Sequence, residues 1–89
     1  SYSGFYDNDK RNSTGLHGFL TELKVTEVYL CGLAADYCVY YTAKDAANLG
    51  YKTFVIEDAT KYIDATNYLK AKQEMLGLGI EIIESKILN

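Results

Sequence analysis

The 89-residue sequence lacks proline, has only one histidine and two cysteines, and contains no dense run of basic residues. Two cysteines are too few for a disulfide framework or a zinc set, so we expect reduced thiols and a cytoplasmic location. With a net charge of −3, the chain has no basic surface that would neutralise nucleic-acid phosphates. No apolar stretch approaches the ~18–20 residues that cross a bilayer, and Ser1–Gly4 does not resemble the start of a signal peptide. These absences predict neither nucleic-acid nor membrane binding.

Hydrophobic residues make up 48% of the sequence, and the composition and length predict one small folded domain or part of a larger one. Helices are predicted at about 14–24, 37–49 and 66–78, and strands at 25–31, 52–57 and 80–83. Strands joined by helical crossovers are parallel. The alternation therefore predicts a Rossmann-like α/β fold with a parallel sheet and helices on both faces. Three strands leave one apolar sheet edge open, and such edges favour association.

Several local features predict capping and burial. Ser13 or Thr14 offers the N-cap of the first helix, and Gly50 is placed to end the second helix in the left-handed conformation. Cys31, at a strand end, is expected in the core, whereas His17 is expected on a solvated helix face. The buried stripe predicted for the second helix is Val39, Thr42, Ala43, Ala46 and Leu49. The stripe predicted for the third helix is Leu69, Gln73 and Leu76, with Met75 beside it.

Cys38 is the candidate nucleophile. It follows a Gly/Ala turn, Gly32–Asp36, which leaves a strand and opens a helix, with Asp36 as the candidate N-cap. The positive end of the helix dipole favours a thiolate, and the unpaired N–H groups of the first turn can hold an oxyanion. The position also lies at the carboxyl edge of the predicted sheet, where ligands of α/β proteins bind. The alternative is a cysteine that only packs.

Two segments resemble the nicotinamidase branch of the isochorismatase-like cysteine hydrolases. Ser1–Asp7 is similar to the family's D-S-Y-S-[GA]-F segment without its first Asp, and Gly32–Val39 resembles its G-[LVI]-A-x-[DE]-[YH]-C-V nucleophile turn. Ala46–Gly50 and Val55–Asp58 continue the likeness. The resemblance covers essentially the whole chain and implies that residues 1–89 are the C-terminal half of an isochorismatase-like hydrolase domain.

The resemblance implies a cysteine-dependent amidohydrolase that converts nicotinamide to nicotinate and ammonia through a thioester on Cys38. It also implies that the N–H groups of Ala34 and Cys38 form the oxyanion hole, that the Leu33–Ala34 peptide is cis, and that Tyr2 and Tyr37 bind substrate. The family's catalytic Asp and Lys, and the ligands of its divalent, zinc-like metal, belong to the missing N-terminal half. The isolated chain is therefore expected to be inactive.

Three interpretations stay open at this point. The chain is part of a nicotinamidase that acts with its missing half, or part of another amide hydrolase of the same superfamily with a changed pocket. In the third interpretation it is a non-catalytic association module that buries the open strand Val25–Cys31 by dimerising or by docking a partner strand. We expect a homo-oligomer. The Asp7–Asp9 cluster is interpreted as a solvated loop rather than a metal site.

Overall fold

The computed structural model of the chain describes residues 3–5, 15–35 and 37–88. Its elements, in chain order, are α1 (Leu16–Glu22), β1 (Glu27–Leu33), α2 (Cys38–Asn48), β2 (Lys52–Lys61), α3 (Ala65–Gly77), β3 (Glu81–Ile83) and a 3₁₀ turn (Ser85–Leu88). This order confirms the predicted alternation of helices and strands. Every described helix is too short or too polar to span a membrane. The Asp7–Asp9 cluster lies outside the described residues. Helix α1 has Gly15 at its N-cap position, so the prediction of an N-cap at Ser13 or Thr14 is wrong.

The three strands form one parallel sheet in the order β1-β2-β3. Strand β2 runs to Lys61, past the predicted end at Glu57. The extension goes with a shift in the pairing of β1 and β2 between Leu30 and Gly32, after which Leu33 lies opposite Lys61. The later part of β2 therefore reaches the end of β1, where the chain turns into α2.

The main core lies between one face of the sheet and helices α2 and α3. It consists of Val39, Ala43, Val55, Ala71, Met75 and Ile80, with Leu30 and Ile82 packed against it. The buried positions of α2 include Val39, Ala43 and Ala46, as its spacing predicts. Gly50 has a φ of 97° and follows the end of α2, which confirms the left-handed residue predicted there.

The buried face predicted for α3 is wrong, because a different face of the helix lies against the core. The buried residues are Tyr68, Ala71 and Met75, whereas Leu69 and Leu76 are 60% and 52% exposed. Both sets follow helical spacing, so apolar periodicity alone does not separate them. Contact with α2 decides between them, because the small Ala71 allows the two helices to approach closely.

A second cluster secures residues 3–5 and α1 to the end of α2. Phe5, Ala46 and Tyr51 are buried together, with Leu16 and Leu20 packed against them. The rings of Phe5 and Tyr51 stack with centroids 5.8 Å apart. Because Phe5 is almost fully buried, the short segment around it is fixed against the helix that carries Cys38.

The described helices cover one face of the sheet only. Val28 and Leu30 of β1 pack against the buried clusters, whereas the alternate residues Tyr29, Cys31 and Leu33 are exposed. The prediction of a core position for Cys31 is therefore wrong, because strand alternation places its side chain on the opposite face. The sequence predicts helices on both faces of the sheet, and the described residues confirm this for one face only.

We expect the 89-residue chain to associate in solution, because β1 combines an open edge with exposed apolar side chains. Leu33, 72% exposed, is the test position, and Leu33→Lys should weaken self-association by about tenfold, since a buried leucine contributes about 1.5–3 kcal/mol. Leu23, 59% exposed at the end of α1, is the matched control, and Leu23→Lys should change little. Analytical ultracentrifugation measures both; a wild-type chain that stays monomeric at high concentration contradicts the expectation.

Candidate active site

The turn between β1 and α2 places Cys38 at the carboxyl end of the sheet. Cys38 is the first residue of α2, and Tyr37 occupies the N-cap position without a side-chain cap. The N–H of Ala35 donates to the carbonyl of Lys61 at 2.6 Å. The N–H groups of Tyr37 and Val39 both donate to the Ala34 carbonyl, at 3.1 and 3.0 Å. The turn is thus closed on itself and bonded to the end of β2.

Two N–H groups of this turn have no acceptor among the residues that the structure describes. They belong to Ala34 and Cys38, the two donors that the resemblance implies for an oxyanion hole. The Leu33–Ala34 peptide is cis, also as the resemblance implies. Unpaired N–H groups next to a nucleophile are the donors that stabilise a developing oxyanion.

Cys38 lines a small cavity of about 150 Å³ beside β1. The other lining residues are Leu30, Cys31, Leu33, Val39 and Thr42. Both cysteines are free thiols, and Cys38 is half-buried. The described lining contains no carboxylate, imidazole or amine. The cavity therefore contains the candidate nucleophile Cys38 but, in the described residues, no group that transfers a proton.

The segment 3–5 meets α2 at Thr42, one helical turn after Cys38. The Thr42 hydroxyl donates to the Cys38 carbonyl at 2.7 Å and accepts from the Gly4 N–H at 3.0 Å. The helical spacing predicts only a buried position for Thr42 and does not indicate this link. The signal that could have found it is a hydroxyl residue four positions after the nucleophile, which is the spacing of a side-chain bond to the helix backbone.

Tyr37 does not line the Cys38 cavity in the described chain. It faces a separate cavity of about 250 Å³ with Tyr40 and Glu74, so its role in substrate binding stays a prediction. Tyr2 lies outside the described residues, and its predicted role in substrate binding stays a prediction as well. The prediction of Asp36 as the N-cap is wrong by one residue, because α2 begins at Cys38 with Tyr37 at the N-cap position.

The expectation of a solvated His17 is wrong. Its Nδ1 lies 2.7 Å from the Tyr51 hydroxyl, and the two rings meet edge to face. Tyr51 lies between α2 and β2, so only the tertiary fold brings it to the imidazole. Tyr51 belongs to the second cluster, and neither residue of the pair lines the Cys38 cavity.

Another cavity, of about 390 Å³, lies between β2 and α3. Its walls include Glu57, Tyr62 and Tyr68, and none of them lines the Cys38 cavity. The Tyr68 hydroxyl donates to Glu57 Oε2 at 2.5 Å, and Lys72 Nζ lies 2.8 Å from the same oxygen. The polar groups here satisfy one another, so we take the smaller cavity, which Cys38 lines, as the candidate active site.

The described residues do not fit the divalent metal that the resemblance implies. No group of three or more His, Cys, Asp or Glu side chains that could hold a metal ion is present in that part of the chain. We therefore derive no step of the chemistry through a metal.

Comparisons with known proteins identify close relatives. A sequence profile of the isochorismatase domain matches residues 1–87. The nicotinamidase of Acinetobacter baylyi is 46% identical over 87 residues, covering 97% of this chain and 41% of that protein. The structure of an Acinetobacter baumanii nicotinamidase and pyrazinamidase matches with a TM-score of 0.94 and 46% identity, covering 100% of this chain and 44% of that one.

A third match is the pyrazinamidase of Pyrococcus horikoshii in complex with zinc, with a TM-score of 0.83 and 36% identity over 94% of this chain and 44% of that one. The chain thus spans less than half the length of the relatives that it matches.

The carboxyl of Glu57 predicts a specific pH dependence. Hydrogen bonds from Lys72 and then Tyr68 hold its pKa below the usual 4.5. A carboxyl with a lowered folded-state pKa stabilises the fold above its unfolded pKa, and this stabilisation is lost as the pH falls through the lowered value. We expect Glu57→Gln to remove this acid-dependent loss of stability. The free energy of unfolding should change by less than about 1 kcal/mol, because the ion pair is partly exposed.

Urea unfolding at a series of acidic and neutral pH values, at fixed protein concentration, measures the effect. Glu22→Gln, at an exposed position on α1, is the matched control and should keep the wild-type profile. An unchanged acid limb in the Glu57→Gln variant contradicts the assignment.

The two thiols should differ in reactivity. Cys38 stands at a helix N-terminus, which favours negative charge on sulfur, whereas Cys31 lies within a strand. We expect iodoacetamide at neutral pH to modify Cys38 faster, although Cys31 is the more exposed of the two. Peptide mass spectrometry of the wild type, with Cys31→Ser and Cys38→Ser to isolate each thiol, measures the rates. Faster modification of Cys31 would count against a reactive thiolate at position 38.

Proposed function

The chain belongs to the isochorismatase family, and we propose that it is the C-terminal part of a nicotinamidase with Cys38 as its nucleophile. The observation that carries this proposal is the position of Cys38 at the start of α2, next to the N–H groups of Ala34 and Cys38, which have no acceptor among the described residues. A nucleophile beside two unpaired donors is the arrangement that acyl transfer needs.

In the proposed reaction the Cys38 thiolate attacks the carboxamide carbon of nicotinamide. The electron pair of the C=O bond moves to oxygen, and the N–H groups of Ala34 and Cys38 hold the resulting oxyanion. The intermediate collapses, the C–N bond breaks, and the nitrogen leaves as ammonia after it takes up a proton. Water then cleaves the thioester to nicotinate and regenerates the thiol.

The proton transfers need a group that the Cys38 cavity does not contain among its described residues. We propose that this group, an aspartate by the resemblance, comes from the part of the enzyme that this chain does not span, together with the family's lysine. The zinc complex of the similar Pyrococcus horikoshii pyrazinamidase supports a divalent cation in the complete enzyme, bound by residues outside this chain. With its two free thiols, the protein is assigned to the cytoplasm as part of the same proposal.

The interpretation as an association module has one observation in its favour, the exposed face of β1 with Tyr29 and Leu33. That face also serves a nicotinamidase, because the remaining polypeptide of such an enzyme needs a surface on which to pack. The N–H groups of Ala34 and Cys38, which have no acceptor among the described residues, have no role in a module that only associates. We therefore favour the hydrolase.

A chimera tests the proposal. The 89 residues replace the matched segment of the Acinetobacter baylyi nicotinamidase, which is 46% identical, and ammonia release from nicotinamide is measured. We expect activity within about tenfold of the parent, and a loss of at least about a thousandfold with Cys38→Ala, because the covalent route depends on the thiol.

The matched control is Cys31→Ala, which removes the other thiol and should keep most of the activity. The isolated 89-residue chain should release no ammonia. A Cys38→Ala chimera with near-wild-type turnover would rule out the nucleophile, and turnover by the isolated chain would show that no further residues are needed.

A further inference from the structure

The Thr42 hydroxyl connects two segments of the chain that are 38 positions apart. Its hydrogen is donated to the Cys38 carbonyl at 2.7 Å, and its oxygen accepts the Gly4 N–H at 3.0 Å. A threonine hydroxyl has one hydrogen to donate, so its donor is fully used within α2. The hydroxyl oxygen, acting as an acceptor, makes the bond from the helix to the segment 3–5.

A second threonine, Thr21, shows which of these two bonds is particular to Thr42. Thr21 in α1 donates to the His17 carbonyl four residues earlier, at 2.8 Å, which is the same bond that Thr42 makes to Cys38. No bond from a second segment to the Thr21 hydroxyl is present among the described residues. The bond to the helix backbone is therefore a local feature that recurs, whereas the bond from Gly4 is particular to Thr42.

Packing on both sides of the link keeps the segment 3–5 beside Thr42. Phe5, next to Gly4, is almost fully buried in a cluster with Tyr51. A Cβ atom at Gly4 would be in ordinary van der Waals contact with Leu16 Cδ2 at 3.5 Å and with Thr42 Cγ2 at 3.6 Å. The segment is held by apolar contact at Phe5 and by a polar bond at Gly4.

The location of the link connects it to the chemistry. Thr42 lines the cavity of about 150 Å³ into which Cys38 also faces, and its donor bond ends on the peptide carbonyl of Cys38 itself. We propose that Thr42 is a positioning residue that fixes the first turn of α2, and with it the Cys38 thiol, relative to the segment 3–5. This inference rests on the proposed function, since it assigns Cys38 as the nucleophile.

The kinetic test uses the same chimera with nicotinamide as substrate. Thr42→Val removes the hydroxyl and keeps the branched shape. We expect it to lower kcat by about tenfold or more with KM within about twofold, because small displacements of a reacting group cost rate rather than binding. Thr42→Ser restores the hydroxyl and should recover most of kcat. Thr21→Val, which removes the equivalent local bond in α1, is the matched control and should leave both constants unchanged.

A Thr42→Val chimera with kcat within twofold of the unsubstituted chimera overturns the inference. A Thr42→Ser chimera that loses as much kcat as Thr42→Val also overturns it, because the hydroxyl would then not be the operative group. Thermal unfolding of each variant provides the check on folding: rescue by serine at equal stability is a result that a general packing defect does not produce.

A second measurement separates failure of this inference from failure of the proposed function. If the unsubstituted chimera shows no activity, the nicotinamidase proposal fails, and the link is then judged on the chimera by amide hydrogen exchange at Gly4 and by iodoacetamide modification of Cys38. Thr42→Val should raise the rate of amide hydrogen exchange at Gly4 by about tenfold and alter the rate at which iodoacetamide modifies Cys38. Thr21→Val should leave both rates unchanged. If Gly4 exchange and Cys38 modification are the same in Thr42→Val as without it, the positioning role is rejected.

Discussion

The backbone bond from Ala35 to Lys61 is the interaction on which the rest of the site depends. It joins the turn after β1 to the far end of β2, and it is possible only because β2 continues past the shift in pairing at Leu30 and Gly32. Without that extension the turn would leave the sheet with its backbone groups unsupported. Because β2 is extended, the start of α2 is fixed at the carboxyl edge of the sheet, and the position of Cys38 relative to the sheet is fixed with it.

The same turn explains why the N–H of Cys38 has no acceptor among the described residues. The Ala34 carbonyl accepts from both Tyr37 and Val39, so the backbone that closes the turn uses the N–H groups on either side of Cys38 and leaves that of Cys38 itself without an acceptor among the described residues. An unpaired N–H is costly when it is buried without use. At a site where negative charge develops on a substrate oxygen, the same group becomes the donor that stabilises it.

In the proposed enzyme, the chain provides one side of the catalytic site. The candidate nucleophile Cys38 and the hydroxyl of Thr42 line one small cavity, while the described lining contains no group for proton transfer. The exposed face of β1 lies at this same cavity through Cys31 and Leu33. Among the described residues, the face of β1 that no helix covers and the cavity that has no base are therefore contiguous, so in the proposed enzyme a single packed segment can complete both.

Element order, the parallel sheet and the place of Cys38 at a helix start were predictable from the sequence alone, because periodicity and turn residues are local properties and the nucleophile turn is a contiguous motif. The rotation of α3, the exposure of Cys31 and the contact of His17 with Tyr51 were not. Each depends on which face of an element meets its neighbour, and spacing leaves that choice open when two faces carry similar apolar residues. The link between Gly4 and Thr42 belongs to the same class: a hydrogen bond across 38 positions exists only once packing has brought the two segments together.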